Sequence, residues 1–168
     1  MLSILVLLVA LASPALAEEN VVCNGKVYCI GIDTKGSDTI INIESAAKGW
    51  FGFGLGPKMT GADIFVAWLN GEKGFIAARE SPSRSKIVPS KTITVTQIPF
   101  AGKKKADWAK IQASVKVPTE QVGEKLAGKA FIWASSETAP VDPADPDSKI
   151  GMHKVFDKFT NDFSAKKA

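Results

Sequence analysis

One histidine, two cysteines and two methionines beyond the first residue carry most of the metal and redox chemistry open to this 168-residue chain. The histidine is His153, and a lone imidazole excludes every mechanism that needs two, including a blue-copper site built on two His and one Cys. Cys23 and Cys29 are too few for a four-thiolate zinc or iron–sulfur centre. Five residues separate them and no His follows, so they do not make the C-x-x-C-H attachment of a covalent haem. Hydrolysis has little to work with, because no G-x-S-x-G elbow occurs and a Ser-His-Asp triad would have to use His153 without a supporting motif. The soft donors left are the thioethers of Met59 and Met152 and the imidazole of His153. A lone histidine is also often a surface or satisfied residue, and the residue types by themselves leave both readings open.

These groups need a scaffold, and the apolar spacing points to strands. Ile111, Ala113, Val115 and Val117 alternate with Gln112, Ser114 and Lys116, which is a half-buried strand with one wet face. Eight further strands are expected at 26–32, 39–44, 50–55, 62–69, 75–80, 91–98, 130–135 and 154–159, each bounded by Gly, Pro, Asn, Asp or Ser. Asn70-Gly71 marks a hairpin. A single short helix is expected from Thr119 to Leu126, with Pro118 before it, Thr119 as its cap and Gly128 after it. About nine short antiparallel strands predict an all-β fold, a sandwich of two sheets.

One strand is unusual. In Gly49-Trp50-Phe51-Gly52-Phe53-Gly54-Leu55-Gly56, the residues Phe51, Phe53 and Leu55 point one way while Gly52, Gly54 and Gly56 point the other. A bare glycine face lets a flat or bulky group approach the backbone, and it equally permits bends or close sheet packing. Pro57 follows, so the run neither matches G-x-G-x-x-G nor opens a helix as a dinucleotide site would.

Residues Met1 to Ala17 form an uncharged apolar run that ends in Ala15-Leu16-Ala17, a small-x-small cleavage signal. The run is interrupted by Pro14 and is shorter than the roughly 20 residues a spanning helix needs. It reads as a secretory signal peptide (1–17) ahead of one domain (18–168). A mature terminus at Glu18 excludes a copper centre on an amino-terminal histidine. In an oxidising compartment Cys23 and Cys29 are expected to pair, through a wider loop from Asn24 to Tyr28 than a two-residue turn. The net charge of +4 and a pI near 9.0 are accounted for by solvated lysines. The cluster Lys103, Lys104, Lys105 and Lys110 around Trp108 is either such a solvated loop or a docking face for an acidic redox partner. Pro140, Pro143 and Pro146, interleaved with Asp142, Asp145 and Asp147, form a stiff acidic loop leading to His153, and the aspartates match no calcium-loop motif.

The block GWFGFGLGPKMTGADIFVAWLNGEKGFI resembles the signature of DOMON domains, the family that includes the cytochrome domain of cellobiose dehydrogenase. There a glycine-rich strand is followed by a Met, then by an Ala-Asp strand ending in Trp and a Gly turn. Phe131-Ile132-Trp133-Ala134 is similar to the family's late Trp-Ala strand, with His153 in the loop before the last strand. The resemblance runs from about Val22 to Phe163. It implies a secreted immunoglobulin-like sandwich that holds haem b without a covalent bond and moves single electrons rather than turning over a substrate. Carried over position by position, Met59 and His153 fall where the family's axial iron ligands stand. The implied partner is extracellular and redox-active, such as a flavin dehydrogenase or a copper monooxygenase, with no nucleic acid and no membrane anchor. A carbohydrate-binding module on the same sandwich is the alternative, for which Trp108 and Tyr28 are the candidate stacking platforms.

Overall fold

A computed structural model describes residues 20–84, 86–102 and 106–163. The expected leader 1–17 and the lysines 103–105 lie outside the described residues. In chain order the elements are β1 (Asn20–Asn24), β2 (Tyr28–Lys35), β3 (Asp38–Ser45), β4 (Trp50–Leu55), β5 (Asp63–Asn70), β6 (Lys73–Ser83), β7 (Lys86–Pro89), β8 (Thr96–Ile98), β9 (Ile111–Pro118), α1 (Thr119–Ala127), β10 (Ala130–Ser136) and β11 (Val155–Thr160). One antiparallel sheet has the order β1-β2-β3-β9-β8, the other β11-β10-β4-β5-β6-β7. The expected two-sheet sandwich is therefore present, with eleven strands among the described residues in place of about nine.

Two strands escape the sequence pattern for physical reasons. β1 (NVVCN) is short and half-exposed, and β7 (KIVP) has four residues and ends in proline. β7 joins β6 across a register shift between Glu80 and Ser83, so no clean alternation marks it. The strand expected over 91–98 shortens to β8. Its first amides are taken by side chains, those of Thr92 and Ile93 by Ser90 Oγ and that of Thr94 by Gln121 Oε1, and so cannot join a ladder. The hairpin at Asn70 forms with Gly71 and Glu72 as its central residues, because Asn70 itself pairs with Lys73. Gly71 has φ +62°, the left-handed region that glycine enters without strain.

The helix begins as expected, but Thr119 does not cap it. Pro118 occupies the cap position without a side-chain bond. Thr119 Oγ1 instead meets Thr39 Oγ1 at 3.0 Å, tying α1 to β3, while Val122 and Leu126 insert into the core. The disulfide expectation holds. Cys23 faces Cys29 across the β1–β2 pair, and Asn24 pairs with Tyr28, so the turn between them is only Gly25 to Val27.

The main core lies between the sheets. Ile30, Ile32, Ile41, Ile43, Val115 and Val117 meet Phe51, Phe53, Leu55, Phe65 and Phe131 there, all essentially sealed from water. An antiparallel sheet with one wet face should alternate buried and exposed residues. β4 and β5 do not: every residue from Trp50 to Leu55 and from Asp63 to Trp68 is buried. The outer face of the six-stranded sheet therefore carries a second apolar layer. It contains Trp50, Ile64, Val66, Trp68 and Ala77, packed against Met59, Ile87, Ile132 and Ile150.

Candidate functional site

Residues directly opposite across antiparallel strands share a face. The register of β11, β10, β4, β5 and β6 therefore lays two rows across the outer face of the sheet. One row runs Lys158, Ile132, Gly54, Ile64, Arg79, and the next runs Phe156, Ala134, Gly52, Val66, Ala77. The glycines sit at the middle of each row. Above them opens a cavity of about 760 Å³ floored by Gly52, Gly54, Ile64, Val66, Ile132 and Ala134, within the ~300–1,000 Å³ typical of ligand sites. A Cβ on Gly54 would come 2.6 Å from Ile132 Cγ1, closer than real side chains approach. A Cβ on Gly52 would meet only ordinary contacts of 3.4 to 3.8 Å and would project from the floor. Of the two readings of the glycine face, Gly54 satisfies the packing one, and both residues flatten the floor of a cavity.

Two loops supply the walls. The connection from β4 to β5 needs glycine at Gly56 (φ +139°) and Gly61 (φ +81°) to double back. It is pinned by Gly61 N–H donating to Ser81 O at 3.0 Å and Ala62 N–H donating to Met59 O at 3.1 Å. This turn sets the half-buried Met59 against the outer apolar layer, where it lines the cavity. His153 lines the same cavity from the segment before β11. Its ring rests on Phe156 with centroids 4.7 Å apart, and the next residue, Lys154, donates its N–H to Ser135 O at 2.8 Å. Met152, the neighbour of His153, points to solvent at 87% exposure.

The segment from Val141 to Lys149 forms a strap closed on itself. Val141 N–H donates to Lys149 O, and Asp142 N–H donates to Ser148 Oγ. Asp142 Oδ1 accepts from Ala144 N–H and Asp145 Oδ1 from Asp147 N–H, so two of the three aspartates stiffen the turn. Among the described residues no group of three or more His, Cys, Asp or Glu side chains is placed to hold a metal ion. The strap is fastened to the sheet by Trp68 Nε1, which donates to Pro143 O at 2.9 Å, and by the buried Arg79. Burial pushes the Arg79 guanidinium below its ordinary pKa, while Asp147 and Asp145 act in the opposite direction.

The cavity is apolar apart from its rim, where Lys58, Arg84 and Lys158 outnumber Asp157. Deeper in, the buried Trp50 Nε1–H lines the site and has no hydrogen-bond partner among the described residues. The sequence pattern brought out the glycines, and the family resemblance pointed to Met59 and His153. The pattern missed Arg79, Trp68 and the charged rim, whose only sequence signal is the unbroken apolar run of β5 that requires a covered second face. Of the two candidate sugar platforms, Tyr28 is corrected. Tyr28 is buried, with Phe51 and Trp133 each 5.1 Å from its ring, and Trp108 is half-buried. Sheet packing has absorbed Tyr28 because the phenol stands on the inner face of β2.

A β-sandwich with a flat glycine floor, apolar walls and a polar rim defines a binder of a broad, mostly apolar cofactor. Residues 30–168 match the family of the cytochrome domain of cellobiose dehydrogenase, and the chain belongs to that family. No curated protein matches the chain in sequence. Among solved structures it is similar to the cytochrome b domain of pyranose dehydrogenase from Coprinopsis cinerea. That likeness has 20% identity and a TM-score of 0.63, over 80% of this chain and 76% of that one. It is also similar to the cytochrome domain of Myriococcum thermophilum cellobiose dehydrogenase, with 13% identity and a TM-score of 0.61 over 89% and 85%.

A cytochrome domain takes haem, and the residues fit one. The glycines leave room above the floor, the lining is mostly apolar, and a thioether and an imidazole open onto the site. Both cysteines are spent in the disulfide, so no thioether link to a vinyl group can form and the haem is of the non-covalent b type. Haem-bound electron transfer is the activity that goes with the family.

Proposed function

We propose that this chain is a secreted electron-transfer domain in which Met59 and His153 supply the two axial ligands to haem b. The observation that carries this reading is that the two side chains, 94 positions apart in sequence, open onto one cavity above the glycine floor. Met152 is disfavoured as a ligand by its exposure and by its adjacency to His153. Neighbouring Cα atoms lie only about 3.8 Å apart, too close for the two side chains to reach opposite faces of a macrocycle.

When bound, the haem iron supplies a one-electron couple between its ferric and ferrous states. The protein's part is to hold and tune it. The neutral, polarisable Met59 sulfur favours the reduced state, so the pair has a higher potential than two imidazoles would give. His153 binds as the neutral ring. The floor of Gly52, Gly54, Val66 and Ala134 carries no titratable side chain. Lys58, Arg84 and Lys158 at the rim favour an acidic face on the partner, an extracellular flavin dehydrogenase or copper monooxygenase. Among the described residues no helix is long and apolar enough to cross a membrane. Export rests on the leader 1–17.

Absorption spectra of the purified protein, oxidised and reduced, test the reading. The parent should show a low-spin b-type spectrum. Met59→Ala should give an open or water-bound axial position, His153→Ala should lose most of the haem, and Met152→Leu should leave the reduced spectrum unchanged. Loss of the low-spin spectrum in Met152→Leu but not in Met59→Ala would overturn the ligand assignment. Failure of the parent to take up haem would overturn the function.

A further inference from the structure

Arg79 stands at the far end of the row that begins with Lys158 and crosses Gly54, outside the cavity and 3% exposed. A buried guanidinium is costly unless its donors are used. Arg79 uses one terminal nitrogen on backbone. Its Nη2 donates to Pro146 O at 2.6 Å and to Ser148 O at 2.9 Å, and its Nε has no partner among the described residues. The end of the acidic strap nearer His153 is thus held by its main-chain carbonyls to this one side chain, with Asp145 and Asp147 supplying charge nearby. Ser148 is itself buried, and its Oγ accepts from Asp142 N–H, which locks the strap's two ends together at the point where Arg79 grips it.

From this grip the chain has little slack before His153. Ser148 is fixed by Arg79, Ile150 packs into the outer apolar layer, and Lys154 N–H is fixed to Ser135 O. Only Lys149 to His153 lie between the two anchors, and five residues span at most about 18 Å. The positions of Ser148 and Lys154 therefore set where the imidazole can stand. Trp68 fastens the strap at Pro143, on the other side of the self-closing contacts, and has less leverage on His153.

We propose that Arg79 is a positioning residue: by gripping the carbonyls of Pro146 and Ser148 it fixes the strap that holds His153 at the haem site. This rests on the haem reading above. Removing the grip leaves the buried Ser148 carbonyl unpaired, takes the donor from that of the exposed Pro146, and lengthens the free segment ahead of His153, so the imidazole is presented less often in the ligating position.

The test compares Arg79→Met with Trp68→Phe and with Val115→Ala, a core truncation in the other sheet that lowers stability without touching the strap. Haem loss to excess apomyoglobin should be about 10- to 100-fold faster in Arg79→Met, the range for removing a group that orients a metal ligand. Its low-spin signature should weaken at the same time. Val115→Ala should release haem at the parental rate despite its lower Tm, and Trp68→Phe should fall between. Arg79→Lys, which keeps the charge and can still donate to a carbonyl, should recover part of the loss, and it carries the comparison if the Met variant does not fold. Hydrogen exchange on the haem-free protein gives a second readout, with faster exchange across 148–154 in the Arg79 variants alone. A parent that binds haem and Arg79 variants that hold it as tightly overturn the positioning role. Haem loss that tracks Tm in every variant, Val115→Ala included, overturns it too. A parent that takes up no haem overturns the functional reading, and with it this use of the grip.

Discussion

Gly52 and Gly54 are two residues apart on one strand and face one cavity, yet the structure assigns them different responses to the same substitution. A methyl group on Gly52 would meet Trp50 Cζ3 at 3.4 Å and otherwise only contacts of 3.8 Å. Gly52→Ala should therefore leave the haem-free protein as stable as the parent or stabilise it by about 0.5–1 kcal/mol, the benefit of removing glycine from a strand interior. At Gly54 the added carbon would lie 2.6 Å from Ile132 Cγ1 and 3.0 Å from its Cδ1. Ile132 would have to move, and overpacking of this kind costs about 1–3 kcal/mol. Ile132→Ala in the same chain removes the clashing atoms, so the double variant should recover part of that cost. Urea unfolding of the haem-free proteins measures these differences directly. Haem titration separates the second effect. Both alanines raise the floor under a planar ligand, and by the same overpacking estimate Gly52→Ala should weaken haem binding by roughly 5- to 150-fold while its fold is intact. Equal unfolding midpoints for the two variants would refute the contact argument at Gly54. Parental haem affinity in Gly52→Ala would refute the assignment of that face to the haem.

Tyr28 is the chain's only tyrosine, so phenolate absorbance reports it alone. Burial raises its pKa from 10 to about 12, against the hydrogen bond from Asn24 and with a smaller contribution from the Asp157 charge. A folded-state pKa above the unfolded one means that the stability this group contributes is complete below pH 10 and is lost as pH rises toward 12, an amount on the order of 2 kcal/mol. Tyr28→Phe should lack that part of the alkaline loss, and a phenolate midpoint near 10 in the folded protein would contradict the burial. Cys23→Ser with Cys29→Ser should cost only about 2 kcal/mol in chemical unfolding, because the closed loop is short. Haem uptake should persist, since the disulfide joins β1 to β2 and does not line the cavity.

How much of this was legible in the sequence depended on whether the signal was local. The alternation Ile111-x-Ala113-x-Val115-x-Val117 depends only on neighbours along one strand, and β9 formed where it placed it. Met59 and His153 were recoverable from a family block, and the glycine face from a period of two. β8 shortened because side chains of Ser90 and Gln121 took its amides, a competition that no periodicity records.

What tertiary structure alone decided is which sheet face each alternation fed and what lies over it. Tyr28, an aromatic with a polar tip, suits a surface platform or a core, and the inner face of β2 made it core. The continuous apolar run of β5 implied that both faces were covered without saying by what: Ile64 and Val66 floor the cavity, and at the Trp68 end lies a self-closed strap gripped by Arg79 and Trp68 from 67 to 75 positions away. A cavity is likewise a joint property of strand register and two distant loops. Composition and spacing set the types of side chain available and their order along each strand; register and loop anchoring determined that Met59, His153 and two bare glycines should meet around one space.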